Sequence, residues 1–286
     1  MPNPSTYYRP TTVEEVVRLL SQPHIESAIL SGGALRLATL DPAFEAVIDV
    51  QAIAGLNRIG PSESGGLSLG GAATLEAVAA HRATPLLLKD AITRTLTWNR
   101  RNAISVGEAI EYPGDMPEVV AALLALDAEV VFALRGVTRI PLADLEIVVE
   151  EPKLPQHGLI TAVELPADRA GFAWGAAHVA RTPADGPIVS AAAALLVDEE
   201  GLITVARLAL SGVWPRPAGL AYHAAAALVG APLDDDRIAA ALAVLADEIA
   251  PLVDYRGSVD YRRAMAAVLA RRALTQCQQL LSGRGA

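Results

Sequence analysis

The chain has 286 residues, of which 52% are hydrophobic and 19% are charged, and its formal net charge at pH 7 is −9. The high apolar content excludes a disordered or coiled-coil protein, and the length allows one large domain or two ordinary ones. The acidic balance opposes attraction to a phosphate backbone, so nucleic acid is not an expected partner.

The apolar stretches are short. Val189–Val197 and Ile238–Ala246 fall well below the roughly 18 residues that a membrane-spanning helix needs. The first residues lack a basic segment followed by an apolar one, which is the pattern of an export signal. We therefore expect no membrane span and a cytoplasmic location.

Cys277 is the only cysteine in the chain. An internal disulfide and a cluster held by cysteines of this chain are therefore excluded. The five histidines do not have metal-ligand spacing, and no P-loop or dinucleotide-binding glycine motif occurs. Any redox chemistry must come from an organic cofactor or a partner chain.

The first half of the chain alternates short strands with helices. Thr12–Glu15 has the spacing of a capping box and predicts a helix, because apolar residues follow at helical intervals. Ala28–Leu30 predicts a buried strand that leads into a glycine turn. Further strands are predicted at Val47–Val50, Leu67–Leu69 and Glu129–Leu134, and further helices at Thr74–His81, from Thr84-Pro85, and at Pro117–Leu126.

The segment Glu150–Gly158 is charged and proline-rich, which predicts a domain boundary at 155/156. The two apolar runs Ile188–Val197 and Leu202–Ser211 flank an acidic turn and predict a hairpin. Strands followed by helices are typical of an α+β domain. Helices are predicted at Pro217–Val229, Asp236–Ile249 and about Val259–Leu281, with Arg262, Arg263, Arg271 and Arg272 expected at the surface or on a docking face.

Two glycine turns are candidates for anion binding. Ser31-Gly32-Gly33 follows a strand, and consecutive backbone N–H groups in such a turn can bind phosphate, although a tight connection is the simpler alternative. Arg100–Gly107 is predicted as a loop entering a second tight turn. The cations Arg100 and Arg101 beside that turn suit a phosphate, although exposed arginines are usually part of a solvated surface.

A series of segments, in this order along the chain, carries a family resemblance. They are Leu30–Gly33, Val47–Val50, Leu67–Thr74, Arg101–Gly107, Asp115–Pro117, Leu124–Val130, Ile160–Pro166, Arg181 with Asp185, and Arg256–Arg263. Together they resemble the FAD-binding medium subunits of the molybdenum hydroxylases, the group that includes aerobic carbon monoxide dehydrogenase and xanthine dehydrogenase.

This resemblance implies an α+β chain of two domains. Residues 1–155 would form a vanillyl-alcohol-oxidase-like (PCMH-type) FAD-binding domain of two subdomains, about 1–56 and 57–155. Residues 156–286 would form a domain like the C-terminal domain of carbon monoxide dehydrogenase flavoproteins, with a three-stranded antiparallel sheet and a helical bundle.

The resemblance also implies an oxidoreductase subunit in a hetero-oligomer. A large subunit would bind molybdenum through molybdopterin, a small subunit would carry two [2Fe–2S] clusters, and FAD on this chain would pass electrons to an external acceptor. No residue is nominated as catalytic or as a metal ligand. The implied cofactor-binding residues are Ser31, Gly32, Gly33, Ala34, Leu35 and Arg36 in the first turn, Ser105, Val106, Gly107, Glu108 and Ala109 in the second, together with Asp115 and His178, the latter standing where the family commonly has a lysine.

Both turns depart from the family pattern. Ala34 and Leu35 lack the polar side chains usual after the first glycine pair, and Glu108 stands where the second turn usually has glycine. A carboxylate facing a diphosphate predicts weak FAD binding; the alternative is that Glu108 points to solvent or pairs with Arg100 or Arg101. A flavin-free homologue with a structural or assembly role is therefore the second functional hypothesis, and a free-standing flavoenzyme is a third.

Overall fold

The computed structural model describes residues 4–22, 27–32, 45–133, 136–148, 158–167, 170–182 and 185–283. The chain forms two compact units, and each is assembled from separate stretches of sequence. Unit 1 takes Met1–Thr84, Thr97–Tyr112 and Ala128–Pro166, and unit 2 takes Pro85–Leu96, Pro113–Asp127 and Ala167–Ala286. The boundary predicted at 155/156 lies outside the described residues and stays a prediction.

Unit 1 contains two sheets. The first is a parallel sheet in the order β1-β3-β2, and the second is an antiparallel sheet in the order β4-β5-β8-β6-β7. The strands are β1 (Thr6–Tyr8), β2 (Ser27–Leu30), β3 (Ala46–Asp49), β4 (Ile59–Pro61), β5 (Leu67–Gly70), β6 (Glu129–Ala133), β7 (Val137–Pro141) and β8 (Leu159–Leu165).

The helices of unit 1 are short, and several begin at a side-chain cap. Thr12 and Thr74 each accept a hydrogen bond from the backbone N–H three residues later, at 3.2 Å in both cases, which satisfies an otherwise unpaired donor at the helix start. Within the described part of unit 1 the helices are α1 (Val13–Leu20), α2 (Leu75–Ala80), α4 (Trp98–Ala103), α5 (Val106–Glu111) and α7 (Leu142–Val148).

Unit 2 is built on an antiparallel sheet in the order β12-β11-β10-β9. The predicted hairpin is confirmed, because β10 (Val189–Val197) pairs antiparallel with β11 (Ile203–Ser211). Two features differ from the sequence analysis. The strand β9 (Phe172–Val179) was not predicted, and the sheet has a fourth, short strand, β12 (Ala218–Leu220), where three strands were expected.

Both faces of this sheet are covered by helices. One face packs on α10 (Val259–Ser282), which shares a core with alternate residues of β10. The other face lies near α3 (Leu86–Thr95) and α6 (Pro117–Ala125), whose side chains line a small space together with Ala192. The unit is completed by α8 (Tyr222–Ala226) and α9 (Asp235–Glu248).

The helix predicted over Pro217–Val229 is wrong in its first part. The backbone of residues 218–220 pairs with β11, with Leu220 opposite Ala209, and the helix that follows has only five residues. The helices predicted at Pro117–Leu126, Asp236–Ile249 and Val259–Leu281 are confirmed within one residue at each end. None of the helices in the described ranges is long and apolar enough to cross a membrane.

Candidate functional site

The structure brings the start of the first glycine turn next to the second predicted turn. Ser31 and Gly32 follow the end of β2, and the Ser31 hydroxyl lies 2.7 Å from the hydroxyl of Ser105. Both serines are buried. The remaining predicted residues of the first turn, which are Gly33, Ala34, Leu35 and Arg36, lie outside the described residues.

The second predicted turn is the start of a helix, so the loop predicted at Arg100–Gly107 is wrong. The chain runs from α4 through Ile104 into Ser105, which is the N-cap of α5. Ser105 and Glu108 form a capping box: the Ser105 hydroxyl accepts from the Glu108 N–H at 3.2 Å, and the Glu108 carboxylate accepts from the Ser105 N–H at 3.1 Å. This reciprocal pair satisfies two donors that a helix start leaves unpaired.

The backbone donors of the second turn are all used within the chain. The N–H of Val106 donates to the carbonyl of Ala73 at 2.9 Å, and the N–H of Gly107 donates to the carbonyl of Gly71 at 2.8 Å. The N–H groups of Ser105 and Glu108 are used by the capping box. The N–H of Ala109 makes the first helical bond, to the carbonyl of Ser105 at 3.0 Å.

The Glu108 carboxylate is buried between the two turns. Its side chain is 0% exposed, so the alternative in which it points to solvent is wrong. A Cβ atom on Gly32 would collide with Oε2 of Glu108 and would lie 2.6 Å from the carbonyl oxygen of Ala103. The predicted cation Arg101 forms an ion pair with Glu76, with its Nε 2.7 Å from the carboxylate.

Gly32 and Gly107, the described glycines of the two turns, are explained by close approach inside the protein. Gly32 leaves room for the Glu108 carboxylate, and a Cβ atom on Gly107 would lie 3.0 Å from the carbonyl oxygen of Gly71 and 3.5 Å from the hydroxyl of Ser31. A glycine is needed wherever one backbone must come this near to another group. Neither glycine requires a bound phosphate to account for it.

These residues do not fit the diphosphate of the implied FAD. A diphosphate is recognised by N–H donors that point at it and by positive potential. Here the donors from Ser105 to Ala109 are bonded within the chain, and the group that lies between the turns is a buried carboxylate. The described part of the site therefore has the wrong charge and no donors to spare at the second turn.

The other two predicted residues belong to unit 2. Asp115 ends a single 3₁₀ turn, Pro113–Asp115, and is exposed. His178 lies on β9 and lines a space of about 20 Å³ with Asp90 and Arg94, which is enough for about one water molecule. Burial lowers the pKa of His178 and the charge of Arg94 lowers it further, whereas burial raises the pKa of Asp90 against the opposing effect of Arg94.

Sequence reasoning overlooked one signal in the second turn. Ser105 followed by Glu108 has the same capping-box spacing as the segment Thr12–Glu15, where a helix was predicted correctly. Applied at residue 105, that rule predicts a helix start with its glutamate turned back on its own backbone. The hydroxyl pair of Ser31 and Ser105 had no such signal, because it joins residues 74 positions apart.

Comparisons with known proteins cover both halves of the chain. Residues 3–168 match the family described as the FAD binding domain in molybdopterin dehydrogenase, and residues 177–277 match the CO dehydrogenase flavoprotein C-terminal domain. The carbon monoxide dehydrogenase medium chain of Afipia carboxidovorans is 27% identical over 97% of this chain and 98% of its own length. The 6-hydroxypseudooxynicotine dehydrogenase complex subunit alpha of Paenarthrobacter nicotinovorans is 25% identical over 93% and 91% of the two chains.

A solved structure agrees with these sequence matches. A chain of the carbon monoxide dehydrogenase of Hydrogenophaga pseudoflava superposes with a TM-score of 0.86 at 26% identity, covering 98% of this chain and 99% of its own length. The α+β architecture, with a FAD-binding domain followed by a domain built on an antiparallel sheet, is the architecture of these flavoproteins. The chain belongs to the FAD-binding medium subunits of the molybdenum hydroxylases.

Proposed function

We propose that this chain is the medium subunit of a molybdenum hydroxylase complex in the cytoplasm. Its partners would be a large subunit that binds molybdopterin and a small subunit that carries [2Fe–2S] clusters. The observation that carries this proposal is the full-length agreement in fold, with 98% of this chain superposed on a chain of carbon monoxide dehydrogenase. Two relatives, one a medium chain and the other the alpha subunit of a dehydrogenase complex, support a hetero-oligomer.

The single cysteine of this chain is not suited to bind a cluster, which supports cluster binding by another chain of the complex. Cys277 is 0% exposed inside the core of unit 2, and burial raises its pKa to about 12. A [2Fe–2S] cluster is held by several thiolates, normally four, and this chain has one cysteine. Cluster chemistry in such a complex therefore belongs to a partner chain.

Two roles within the complex follow from different observations. The FAD-binding domain match over residues 3–168 supports the family role, in which the subunit relays electrons from the clusters through FAD to an external acceptor. The buried Glu108 carboxylate between the glycine turns favours the second role, in which the subunit is flavin-free and contributes to assembly or structure.

Purification of the tagged chain from its native host tests the proposal. We expect two further chains to co-purify, with iron and molybdenum in the complex by elemental analysis. Recovery of the chain alone under gentle conditions would contradict the proposed function. The flavin content of the complex separates the two roles, because the relay role requires about one flavin per molybdenum.

A further inference from the structure

Glu108 differs from an ordinary capping glutamate in its surroundings. At the start of α1, Glu15 occupies the same third helical position and also accepts a backbone N–H, from Thr11 at 3.2 Å, but its side chain is 39% exposed. Glu108 is 0% exposed. Burial of a carboxylate is costly unless hydrogen bonds stabilise it, and Glu108 is held by the N–H of Ser105 and lies against Gly32.

The surroundings of Glu108 are those of a bound anion. One carboxylate oxygen, Oε2, accepts from the N–H of Ser105 and lies 3.5 Å from its hydroxyl, and the same oxygen lies against the backbone of Gly32. The hydroxyls of Ser31 and Ser105, one from each turn, bond to each other at 2.7 Å beside it. These are the groups that the family resemblance assigns to the diphosphate of FAD.

We infer that Glu108 is a built-in carboxylate that takes the place of the FAD diphosphate between the two glycine turns, so that this medium subunit folds with that position closed. The inference rests on the proposed function, because membership in the medium-subunit family identifies this position as that of the diphosphate. Of the two proposed roles, it favours the flavin-free one. In this arrangement the buried anion lies against Gly32 and accepts the N–H of Ser105, and FAD cannot bind at this position without expelling it.

Removal of the Glu108 carboxylate should open the diphosphate position to FAD. Even if the carboxylate moved aside to about 5 Å from the diphosphate, the repulsion at an effective dielectric constant of about 20 would correspond to on the order of 100-fold in affinity. We therefore expect wild-type protein to retain no FAD after purification, and Glu108→Gly to bind FAD at least about 100-fold more tightly. Glu108→Gln should tighten binding less than Glu108→Gly, because the amide still fills the space.

Titration of each purified protein with FAD, followed by flavin fluorescence, measures these affinities. Glu15→Gly is the matched control, since it removes a capping glutamate from the same helical position in α1 and should leave FAD affinity unchanged. Equal affinities for wild type and Glu108→Gly would overturn the inference, as would saturation of wild type at sub-micromolar FAD. If Glu108→Gly does not fold, Glu108→Gln decides: tighter binding supports the inference and equal affinity overturns it.

Failure of the proposed function gives a different result. Wild type that does not assemble with molybdenum and iron–sulfur chains contradicts the medium-subunit proposal, whatever the titrations show. A complex that assembles but contains one tightly held flavin per molybdenum contradicts the Glu108 inference and leaves the medium-subunit proposal standing.

Discussion

Arg262 shows how much one buried side chain can connect in unit 2. It is 3% exposed, and its guanidinium donates to the carbonyls of Ile188 at 2.6 Å and Gly212 at 2.9 Å, and to the carboxylate of Asp254 at 2.6 Å. The sequence analysis expected Arg262 at the surface or on a docking face, together with Arg263, Arg271 and Arg272. That expectation is wrong for Arg262 alone, because the other three are exposed.

Loss of this guanidinium should destabilise the protein strongly. Arg262→Met keeps the apolar stem but removes this donor from the carbonyls of Ile188 and Gly212 and one of several donors from Asp254, and a buried acceptor left unsatisfied costs about 1–3 kcal/mol. Chemical denaturation at pH 7 measures the change. Arg263→Met is the control, since the neighbouring side chain is exposed; equal losses in the two variants would contradict the role assigned to Arg262.

The same contact predicts a dependence on pH. Burial alone would raise the pKa of Asp254, but hydrogen bonds from Arg262 and Arg256 together with the Arg262 charge hold it well below its usual range. A carboxyl whose pKa is lower in the folded state stabilises the fold above its unfolded pKa of about 4, and this contribution disappears as pH falls below that value. The stability difference between wild type and Arg262→Met should therefore shrink below about pH 4. A constant difference would contradict this linkage.

At the scale of elements, the composition of β10 reflects burial on both faces. Ala191 and Ala193 pack with the core that contains α10, while Ala192 and Ala194 point to the other face and are still 4% and 3% exposed. A strand covered on both faces contains a continuous apolar run rather than an alternating one. Small side chains on such a strand let a helix approach closely.

Helix and sheet approach each other closely at Gly175 in unit 2. A Cβ atom there would collide with the carbonyl oxygen of Ala273 in α10 and lie 2.9 Å from Cβ of Gln276. Gly175→Ala should therefore push a 24-residue helix away from its sheet and cost about 1–3 kcal/mol. Thermal unfolding measures the effect. Gly186→Ala, where an added Cβ atom would meet no atom of the described residues within 4 Å, should leave the melting temperature unchanged, and a similar loss there would contradict the packing argument.

How far the sequence predicts the elements depends on how local their signals are. The helix Val259–Ser282 and the hairpin β10–β11 were predicted because caps, turn residues and apolar patterns lie within each segment. The strand β9 was missed, and β12 was predicted as helix. Segments that contain alanine and glycine become strands only through pairing with residues outside the segment. The contact between Gly32 and Glu108 joins residues far apart in the chain, so no periodicity could have shown it.

At the scale of the whole molecule, the two compact units are not two consecutive stretches of the chain. The linear division predicts residues 156–286 as a C-terminal domain, whereas unit 2 also includes Pro85–Leu96 and Pro113–Asp127 from the first half of the chain. These two stretches contain α3 and α6, which lie on the face of the sheet opposite α10. Without α3 and α6, the C-terminal residues would leave one apolar face of their sheet uncovered.

Cleavage at the predicted boundary tests this dependence. Trypsin should cut first near Lys153, where charge and two prolines predict exposed backbone, yet the two fragments should elute together from a sizing column because α3 and α6 remain packed on the sheet. They should separate only in denaturant. Residues 156–286 expressed alone should bind a hydrophobic dye and unfold without a cooperative transition, since an uncovered apolar sheet face is unstable in water. Two independently folded fragments after cleavage would show instead that the C-terminal residues form a self-sufficient domain and that α3 and α6 contribute little to its stability.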